Sequence, residues 1–353
     1  MLTGLLTGVH VAKMAENKNR HGLLRYVPAE VRRQLRKEAQ FGCVKCGFAF
    51  CEYEHIDPEF ADAAEHDPSK MAFLCKRCHG EVTSGRASKN SVLHAKKNPF
   101  CKTHRPAWKD DLEFGNLNSS IGSLHFFDCR TLLRVSGEDL LTIEPPEDDG
   151  GPIRVNAKIY DGPNPSLEIQ DNALIIGQEN WDVDIEGAVL TVRRSLGEPS
   201  LIYRFLPQAG IRIERISMSY KGIDINVDER HVSIAGHGCD IQAIAAIFQY
   251  CEACITATHN GFCFGDEPLP DKSLIMAGKT GGGVILEGLC ISDTLVMRGG
   301  PLTLRDSSFP NGLNVHSGSD VRAHGCWIGR GIRIDDNASL QLVGGVVNGV
   351  RPR

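Results

Sequence analysis

The feature that most constrains this chain is a pair of Cys-x-x-Cys motifs, Cys43/Cys46 and Cys75/Cys78. The motifs flank a Glu54-His55 dipeptide, and His79 directly follows the last cysteine. Four thiolates are a common ligand set for structural zinc, and a module this small gains much of its stability from such an ion. The motifs therefore predict a structural Zn²⁺ site. A redox or packing role for these thiols is the alternative.

Glu54, His55 and His79 remain for a different task. Phosphodiester hydrolysis needs a base that takes a proton from water and a cation that absorbs charge on the phosphate. A neutral imidazole can be that base, and a carboxylate with an imidazole offers a mixed O/N site for Mg²⁺ or Mn²⁺. We therefore expect His55 to be catalytic and Glu54 and His79 to bind a catalytic divalent ion. In the alternative, the two histidines are incidental residues of a zinc ribbon that only binds.

Residues 27–100 resemble an HNH endonuclease of the zinc-ribbon kind, a member of the His-Me finger (ββα-metal) nucleases, in the pattern Glu54-His55, loop, Cys75-x-x-Cys78-His79. The resemblance implies a metal-dependent endonuclease that hydrolyses nucleic acid, with DNA favoured over RNA. It also implies that Glu54 and His79 bind the catalytic metal and that His55 is the general base. Glutamate stands where aspartate is commoner, and the family's middle Asn is missing near Lys70 and Met71.

Charge is unevenly distributed along the chain. Residues 1–105 carry 18 Lys and Arg against 11 Asp and Glu, whereas the whole chain has a net charge of −5. A basic front end suits contact with phosphates. The stretch from Pro28 to Gly42 predicts a helix that begins near the proline and ends at the glycine. Its basic residues, and two in the second cysteine motif, are the predicted nucleic-acid contacts: Arg32, Arg33, Arg36, Lys37, Lys76 and Arg77. An exposed basic helix that is only solvated is the alternative.

Bulk properties set the broad class. At 353 residues the chain exceeds a usual single core, which predicts several domains. No apolar run is long enough to cross a bilayer, so we expect no membrane association. Thirteen cysteines without a secretory signal favour metal binding in a reducing cytoplasm over a disulfide framework. Residues 1–26 are interpreted as a flexible leader, and residues 106–120 as a linker.

The sequence of residues 121–353 predicts β structure. Residues 121–222 contain about eight short alternating segments with turn residues between them, which predicts an antiparallel sandwich or barrel. In residues 223–353, apolar positions recur every 18 or 19 residues, as at Leu286, Leu304, Ala323 and Leu342. This period predicts a parallel β-helix-like region. Residues 241–250 could alternatively form a capping helix. Cys251 and Cys254, with His259 and Cys263, allow a second zinc site, but buried packing cysteines are the favoured interpretation.

The predicted fold class is thus multidomain. A small α+β, zinc-stapled ββα-metal module at 27–105 is followed by an all-β sandwich-like domain and a short β-helix-like repeat region. The leading hypothesis is an HNH-type endonuclease whose β region serves recognition, trigger sensing or assembly. Such fusions resemble effectors of bacterial anti-phage immunity, which implies a protein or phage-derived trigger and self-association through the β region. Two alternatives stay open: a non-catalytic zinc-dependent binder of nucleic acid or protein, and a β-helix that binds glycans or phage proteins.

Overall fold

The computed structural model describes residues 18–104, 107–108, 118–146, 153–206, 211–236, 239–243, 245–258, 261–265, 274–278, 283–288, 290–291, 295–299 and 301–348. The protein is mostly β and divides into two compact units. Unit 1 comprises residues 1–110 and 175–185, and unit 2 comprises residues 111–174 and 186–353. The assignment of residues 175–185 to the N-terminal unit was not anticipated from the sequence. In the described part of the chain, no helix combines the length and apolar character that crossing a membrane requires.

Unit 1 contains all the α-helices of the described residues. Its elements are α1 (Ala29–Glu38), β1 (Glu52–His55), two 3₁₀ turns (Phe60–Asp62 and Pro68–Lys70), β2 (Met71–Leu74), α2 (Lys76–Thr83), α3 (Lys89–Lys97), a further 3₁₀ turn (Phe100–Lys102) and β3 (Ala107–Trp108). Strands β1 and β2 pair antiparallel, with His55 opposite Met71. All four residues of β2 are buried, so this strand is the centre of the small core.

Helix α1 begins where the sequence predicts, directly after Pro28, but it ends earlier than predicted. Gln40 and Phe41 both adopt positive φ, and the Phe41 amide donates to the Arg36 carbonyl oxygen at 2.8 Å. Two left-handed residues stop the helix and bury the Phe41 ring. The expectation that Gly42 ends the helix was therefore wrong by a few residues, because the turn is stabilised by burial of an aromatic side chain.

The loop between β1 and β2 is held by residues outside it. The Asn19 side-chain amide donates to the carbonyl oxygens of Phe60, at 2.5 Å, and Ala63, at 2.7 Å. On the other side, the Lys96 ammonium donates to the carbonyl oxygen of Pro68 and, at 2.8 Å, to that of Met71. These contacts tie down the loop between β1 and β2.

Unit 2 is built of strands only in its described residues. Their bounds, with β10 and β11 spanning the ends of segment 175–185, are β4 (Ser119–Ile121), β5 (Leu124–Phe127), β6 (Thr131–Val135), β7 (Glu138–Glu144), β8 (Arg154–Tyr160), β9 (Pro165–Gln170), β10 (Ala173–Ile176), β11 (Asp182–Glu186), β12 (Val189–Ser195), β13 (Glu198–Arg204), β14 (Arg212–Tyr220), β15 (Ile223–Val227), β16 (Val232–Gly236), β17 (Cys239–Ala243), β18 (Ala245–Gln249), β19 (Ala253–Thr258), β20 (Gly261–Phe264), β21 (Leu274–Gly278), β22 (Gly283–Glu287), β23 (Cys290–Ile291), β24 (Leu295–Gly299), β25 (Leu302–Arg305), β26 (Ser308–Phe309), β27 (Leu313–Val315), β28 (Asp320–His324), β29 (Trp327–Ile328), β30 (Ile332–Ile334), β31 (Ser339–Val343) and β32 (Val346–Val347).

Antiparallel pairing dominates the first part of unit 2. Strands β6 to β9 pair in sequence order, as do β12 to β17. The alternative helix at residues 241–250 is wrong, because that stretch is divided between β17 and β18. Strand β18 pairs antiparallel with β22 on one side and parallel with β5 on the other, so both of its edges are hydrogen-bonded.

The last part of unit 2 consists of parallel stacks. Strands β22, β25, β28 and β31 pair in register, and β24, β27 and β30 form a second parallel run. Leu304 lies opposite Leu286 in one neighbouring strand and opposite Ala323 in the other. The 18- and 19-residue repeat therefore places each apolar position over its equivalent in the preceding strand, and Leu304 is completely buried.

We expect Leu304→Ala to lower the free energy of unfolding by about 2–5 kcal/mol, because it removes a buried side chain between two stacked layers. Its neighbour Thr303 is only half-buried, and Thr303→Ala should cost about 0.5 kcal/mol. Denaturant unfolding of the two variants tests this difference. Equal losses would contradict the inward orientation of the repeat positions.

Candidate active site and metal centres

The four cysteines of the two motifs form one cluster in unit 1. Their sulfur atoms all lie within 4.8 Å of one another, and Cys46 Sγ lies 3.7 Å from both Cys75 Sγ and Cys78 Sγ. Zinc–sulfur bonds of about 2.3 Å in a tetrahedron separate the sulfurs by about 3.8 Å. The cluster therefore has the dimensions of a four-thiolate zinc site, and the sequence prediction that these cysteines can hold a metal ion is confirmed.

Each motif is shaped by its backbone. In the first, Gly47 has a φ of 75° and its amide donates to the Cys43 carbonyl oxygen at 2.8 Å. A Cβ atom at Gly47 would lie 2.6 Å from the Phe100 ring, so only glycine fits this turn. In the second motif, Cys75 is the N-cap of α2, and its sulfur accepts a hydrogen bond from the Cys78 amide at 3.5 Å. Burial raises the pKa of the Cys78 thiol to about 12.

A second group of possible metal ligands lies beside the zinc-type cluster. Glu52 and Glu54 share one face of β1, because side chains alternate along a strand, and His79 lies on α2. Ligand atoms of these three residues fall within 4.8 Å of one another, and His79 Nε2 lies 3.4 Å from a Glu54 carboxylate oxygen. Two carboxylates and one imidazole suit a hard divalent cation with open coordination positions. The sequence prediction included Glu54 and His79 but missed Glu52, which strand alternation could have revealed.

Charged neighbours of both signs act on the Glu54 carboxyl. Burial raises the pKa of the Glu54 carboxyl, and the neighbouring Glu52 raises it further. His79 and Arg25 act in the opposite direction, because positive charge stabilises the carboxylate. The His79 imidazole is about one-third exposed, so the group is open to solvent.

His55 borders the same cleft as Glu54 and has a histidine partner. The cleft has a volume of about 240 Å³, and Arg25, Arg32 and Phe60 also line it. His55 Nε2 lies 3.2 Å from His66 Nδ1, and His66 Nε2 lies 2.9 Å from the Leu24 carbonyl oxygen. Burial lowers the pKa of His55, and His66 and Arg25 add to this effect. A neutral imidazole at this position is the form that can accept a proton.

His66 and Arg25 are candidate functional residues that the sequence analysis missed. His66 belongs to no motif, and the loop that Asn19 supports brings its ring to His55. Arg25 has no motif around it, and only the fold places it at the cleft. Its guanidinium lies 5.3 Å from the centre of the Phe60 ring.

The predicted nucleic-acid contacts on α1 are mostly engaged within unit 1. Arg36 is 3% exposed and makes a bidentate ion pair with Asp182, at 2.7 and 2.9 Å, and a further one with Asp184 at 3.1 Å. It also donates to the Tyr53 hydroxyl. Arg36 is therefore not available to a phosphate, and its predicted role is corrected: its charge is neutralised by carboxylates that lie more than 140 residues away in sequence.

Two further basic residues of α1 face the same segment. The Arg33 guanidinium lies 3.8 Å from the centre of the Trp181 ring, and the Lys37 ammonium donates to the Asn180 carbonyl oxygen at 2.6 Å.

Arg32 donates to the Tyr26 hydroxyl at 3.1 Å and borders the cleft. Lys76 and Arg77 are exposed at the start of α2, beside His79. Among the six predicted contacts, Arg32, Lys76 and Arg77 remain candidates.

No protein-family model, curated protein or solved structure matches this chain.

Replacement of Arg36 tests the buried network. Arg36→Met removes the cation that faces two buried carboxylates, and we expect it to lower the free energy of unfolding by about 3–5 kcal/mol. Lys76→Met is the matched control, because its ion pair with Glu52 is exposed and should contribute about 0.5 kcal/mol. Thermal and denaturant unfolding measure both values. A loss for Arg36→Met as small as the control's would contradict a structural role.

The four-cysteine cluster predicts a zinc-dependent fold for unit 1. Cys46→Ser should abolish stoichiometric zinc binding at this cluster and destabilise unit 1, because zinc-binding energy becomes folding energy in small modules. Cys326→Ser is the matched control, since Cys326 is a buried cysteine of unit 2 that belongs to no thiol cluster among the described residues. Metal analysis and circular dichroism provide the readouts. Full zinc content in Cys46→Ser would argue against the site.

Proposed function

We propose that this protein is a metal-dependent endonuclease of the HNH type, with nucleic acid as its substrate and DNA favoured over RNA. The observation that carries the proposal is the approach of His79 Nε2 to the Glu54 carboxylate, at 3.4 Å, directly beside a four-cysteine cluster. The order β1, β2, α2 agrees with the ββα-metal module that the resemblance implies.

The proposed roles follow from position. Glu54 and His79, with Glu52 as an additional ligand, would hold a divalent ion such as Mg²⁺ or Mn²⁺. That ion would supply positive charge for the scissile phosphate and the leaving oxygen. His55 would take the proton of the attacking water, and Arg25 and Arg77 would orient the phosphate backbone.

His66 gives the base its orientation in this proposal. Its Nε2 faces the Leu24 carbonyl oxygen, which can only accept, so that nitrogen carries the proton and Nδ1 is an acceptor in the neutral ring. With a neutral His66, His55 Nε2 donates to His66 Nδ1 and carries the proton. His55 can therefore take a proton at Nε2 only after this contact breaks and its own proton lies on Nδ1. An incoming water must replace this contact to reach His55 Nε2. We infer that His66 moves when substrate enters the cleft.

The larger body would serve recognition or assembly. We propose that the parallel stacks of β22 to β32 form a short β-helix and that the antiparallel strands before them form a sandwich-like layer. Self-association and the binding of a protein or phage-derived trigger are the roles proposed for this body, by analogy with anti-phage effectors. The analogy concerns architecture alone.

Cleavage assays with plasmid, linear DNA and RNA in Mg²⁺ or Mn²⁺ test the function. We expect wild-type activity to be abolished by EDTA, and His55→Ala to lower the rate by about 10²–10⁴-fold, since it removes the general base. Glu54→Gln and His79→Ala should weaken binding of the divalent ion and so raise the metal concentration that cleavage requires. Arg25→Ala should weaken substrate binding. His94→Ala is the matched control, because His94 is an exposed histidine on α3.

Zinc content and melting temperature of every variant separate misfolding from lost chemistry. Equal cleavage by wild type and His55→Ala in well-folded preparations would contradict the assignment of the base. Absence of cleavage by the wild-type protein on all three nucleic acids would argue against a nuclease.

A non-catalytic nucleic-acid-binding module is the second candidate, and a specific observation favours it. His55 Nε2 is already in hydrogen-bond contact with His66. If this contact never breaks, His55 Nε2 cannot act as a base, and the module would bind nucleic acid without cleaving it. A binder predicts a salt-dependent shift of labelled DNA that His55→Ala and His79→Ala leave unchanged.

A further inference from the structure

A second cluster of thiols lies in unit 2, in residues that the proposed nuclease chemistry does not use. The sulfur atoms of Cys129, Cys251 and Cys254 lie within 4.8 Å of one another. Each pair of these side chains is in hydrogen-bond contact. All three residues are at most 2% exposed. Three thiols from segments more than 120 residues apart therefore converge on one point.

The backbone explains how the thiols meet. The segment from β5 to β6 runs parallel to the segment from β18 to β19, with Phe127 opposite Gln249 and Thr131 opposite Ala253. Cys129 and Cys251 consequently occupy equivalent places in two stacked corners. Main-chain hydrogen bonds close the corners, from the Tyr250 amide to the Phe127 oxygen and from the Thr131 amide to the Glu252 oxygen, both at 2.9 Å. The positions of the sulfurs are thus set before any ligand binds.

A packing role is the rival explanation, and the repeat itself defines it. In five corners, a residue with positive φ precedes a small residue, and the pairs are Asp128-Cys129, Tyr250-Cys251, Asp306-Ser307, Gly325-Cys326 and Gly344-Gly345. Gly288, which also follows a strand and has positive φ, precedes Leu289 instead. Packing can therefore favour a small side chain at this place. Cys326 is such a residue, although it belongs to no thiol cluster in the described part of the chain, and its sulfur contacts the His324 carbonyl oxygen at 3.4 Å.

Packing accounts for Cys129 and Cys251 taken singly but not for the third thiol. Cys254 lies three residues beyond the corner, is completely buried and contacts both of the other cysteines. We propose that Cys129, Cys251 and Cys254 form a three-thiolate site for a soft, thiophilic cation, with zinc as the biological ligand. Three sulfur donors favour such an ion over Mg²⁺ or Ca²⁺.

Binding would replace the thiol protons by one cation and release those protons to solvent. The ion would join residues that are far apart in sequence, and this cross-link would stabilise the stack by restricting the unfolded chain. The site is independent of the proposed nuclease function.

Zinc stoichiometry of the full-length protein tests the proposal. Preparations from zinc-supplemented medium, purified without chelators, are examined by native mass spectrometry and metal analysis. We expect two zinc ions per chain in the wild type, one in Cys254→Ser and two in Cys326→Ser. The last variant is the matched control, because Cys326 occupies the same kind of corner and has no thiol cluster around it among the residues that the structure describes.

Cys251→Ala keeps the test decisive if Cys254→Ser fails to fold, because alanine retains a small side chain at the corner. We expect one zinc ion per chain in this variant. Two zinc ions in a well-folded Cys251→Ala, or one zinc ion in the wild type, would overturn the proposal. A wild-type mass lower by two hydrogens, with two of Cys129, Cys251 and Cys254 linked in one peptide pair, would overturn it in favour of a disulfide.

Discussion

The convergence of four sulfur atoms is the constraint on which the rest of unit 1 depends. Cys43 and Cys46 lie before β1, whereas Cys75 and Cys78 lie at the junction of β2 and α2, so one ion would join both ends of the small sheet to the helix. The same junction positions His79, because it follows Cys78 within the first turns of α2. An ion bound to the four cysteines would thereby also fix the distance between the imidazole on α2 and the carboxylates on β1.

Strand alternation then separates two sets of side chains on β1. Glu52 and Glu54 project to the side of His79, and Tyr53 lies between them on the opposite side, where Arg36 donates to its hydroxyl. Burial raises the pKa of Tyr53 to about 12, so the phenol remains a neutral partner of the network. The ion pair of Arg36 with Asp182 and Asp184 thus anchors the strand that carries the candidate ligands. The sequence of α1 predicts a nucleic-acid-binding surface, but most of its basic side chains contact other residues of unit 1.

Unit 2 follows a different principle, in which similar corners recur along the chain and several of them carry a cysteine after a residue with positive φ. Stacking in register brings each corner over the next, so two cysteines at equivalent places inevitably become neighbours. Cys129 and Cys251 illustrate this effect, since their segments pair although one precedes and the other follows the predicted boundary near residue 222. Local turn geometry and long-range register together create a cluster that neither produces alone.

The sequence by itself determined the four-cysteine cluster, the proximity of Glu54 to His79 and the period of the stacked strands. The cysteine cluster and the stacked strands follow from regular spacing, two Cys-x-x-Cys turns and an 18- or 19-residue repeat. The pairing of Glu54 with His79 rests on the resemblance to HNH endonucleases. Only the tertiary structure decided the partners of Arg36, the contact of His66 with His55, and the meeting of Cys129 with Cys251 and Cys254. These contacts join segments whose separation along the chain carries no periodic signal. They arise because burial pairs charge with charge and stacks one backbone segment on another, and no local pattern of residues encodes such pairings.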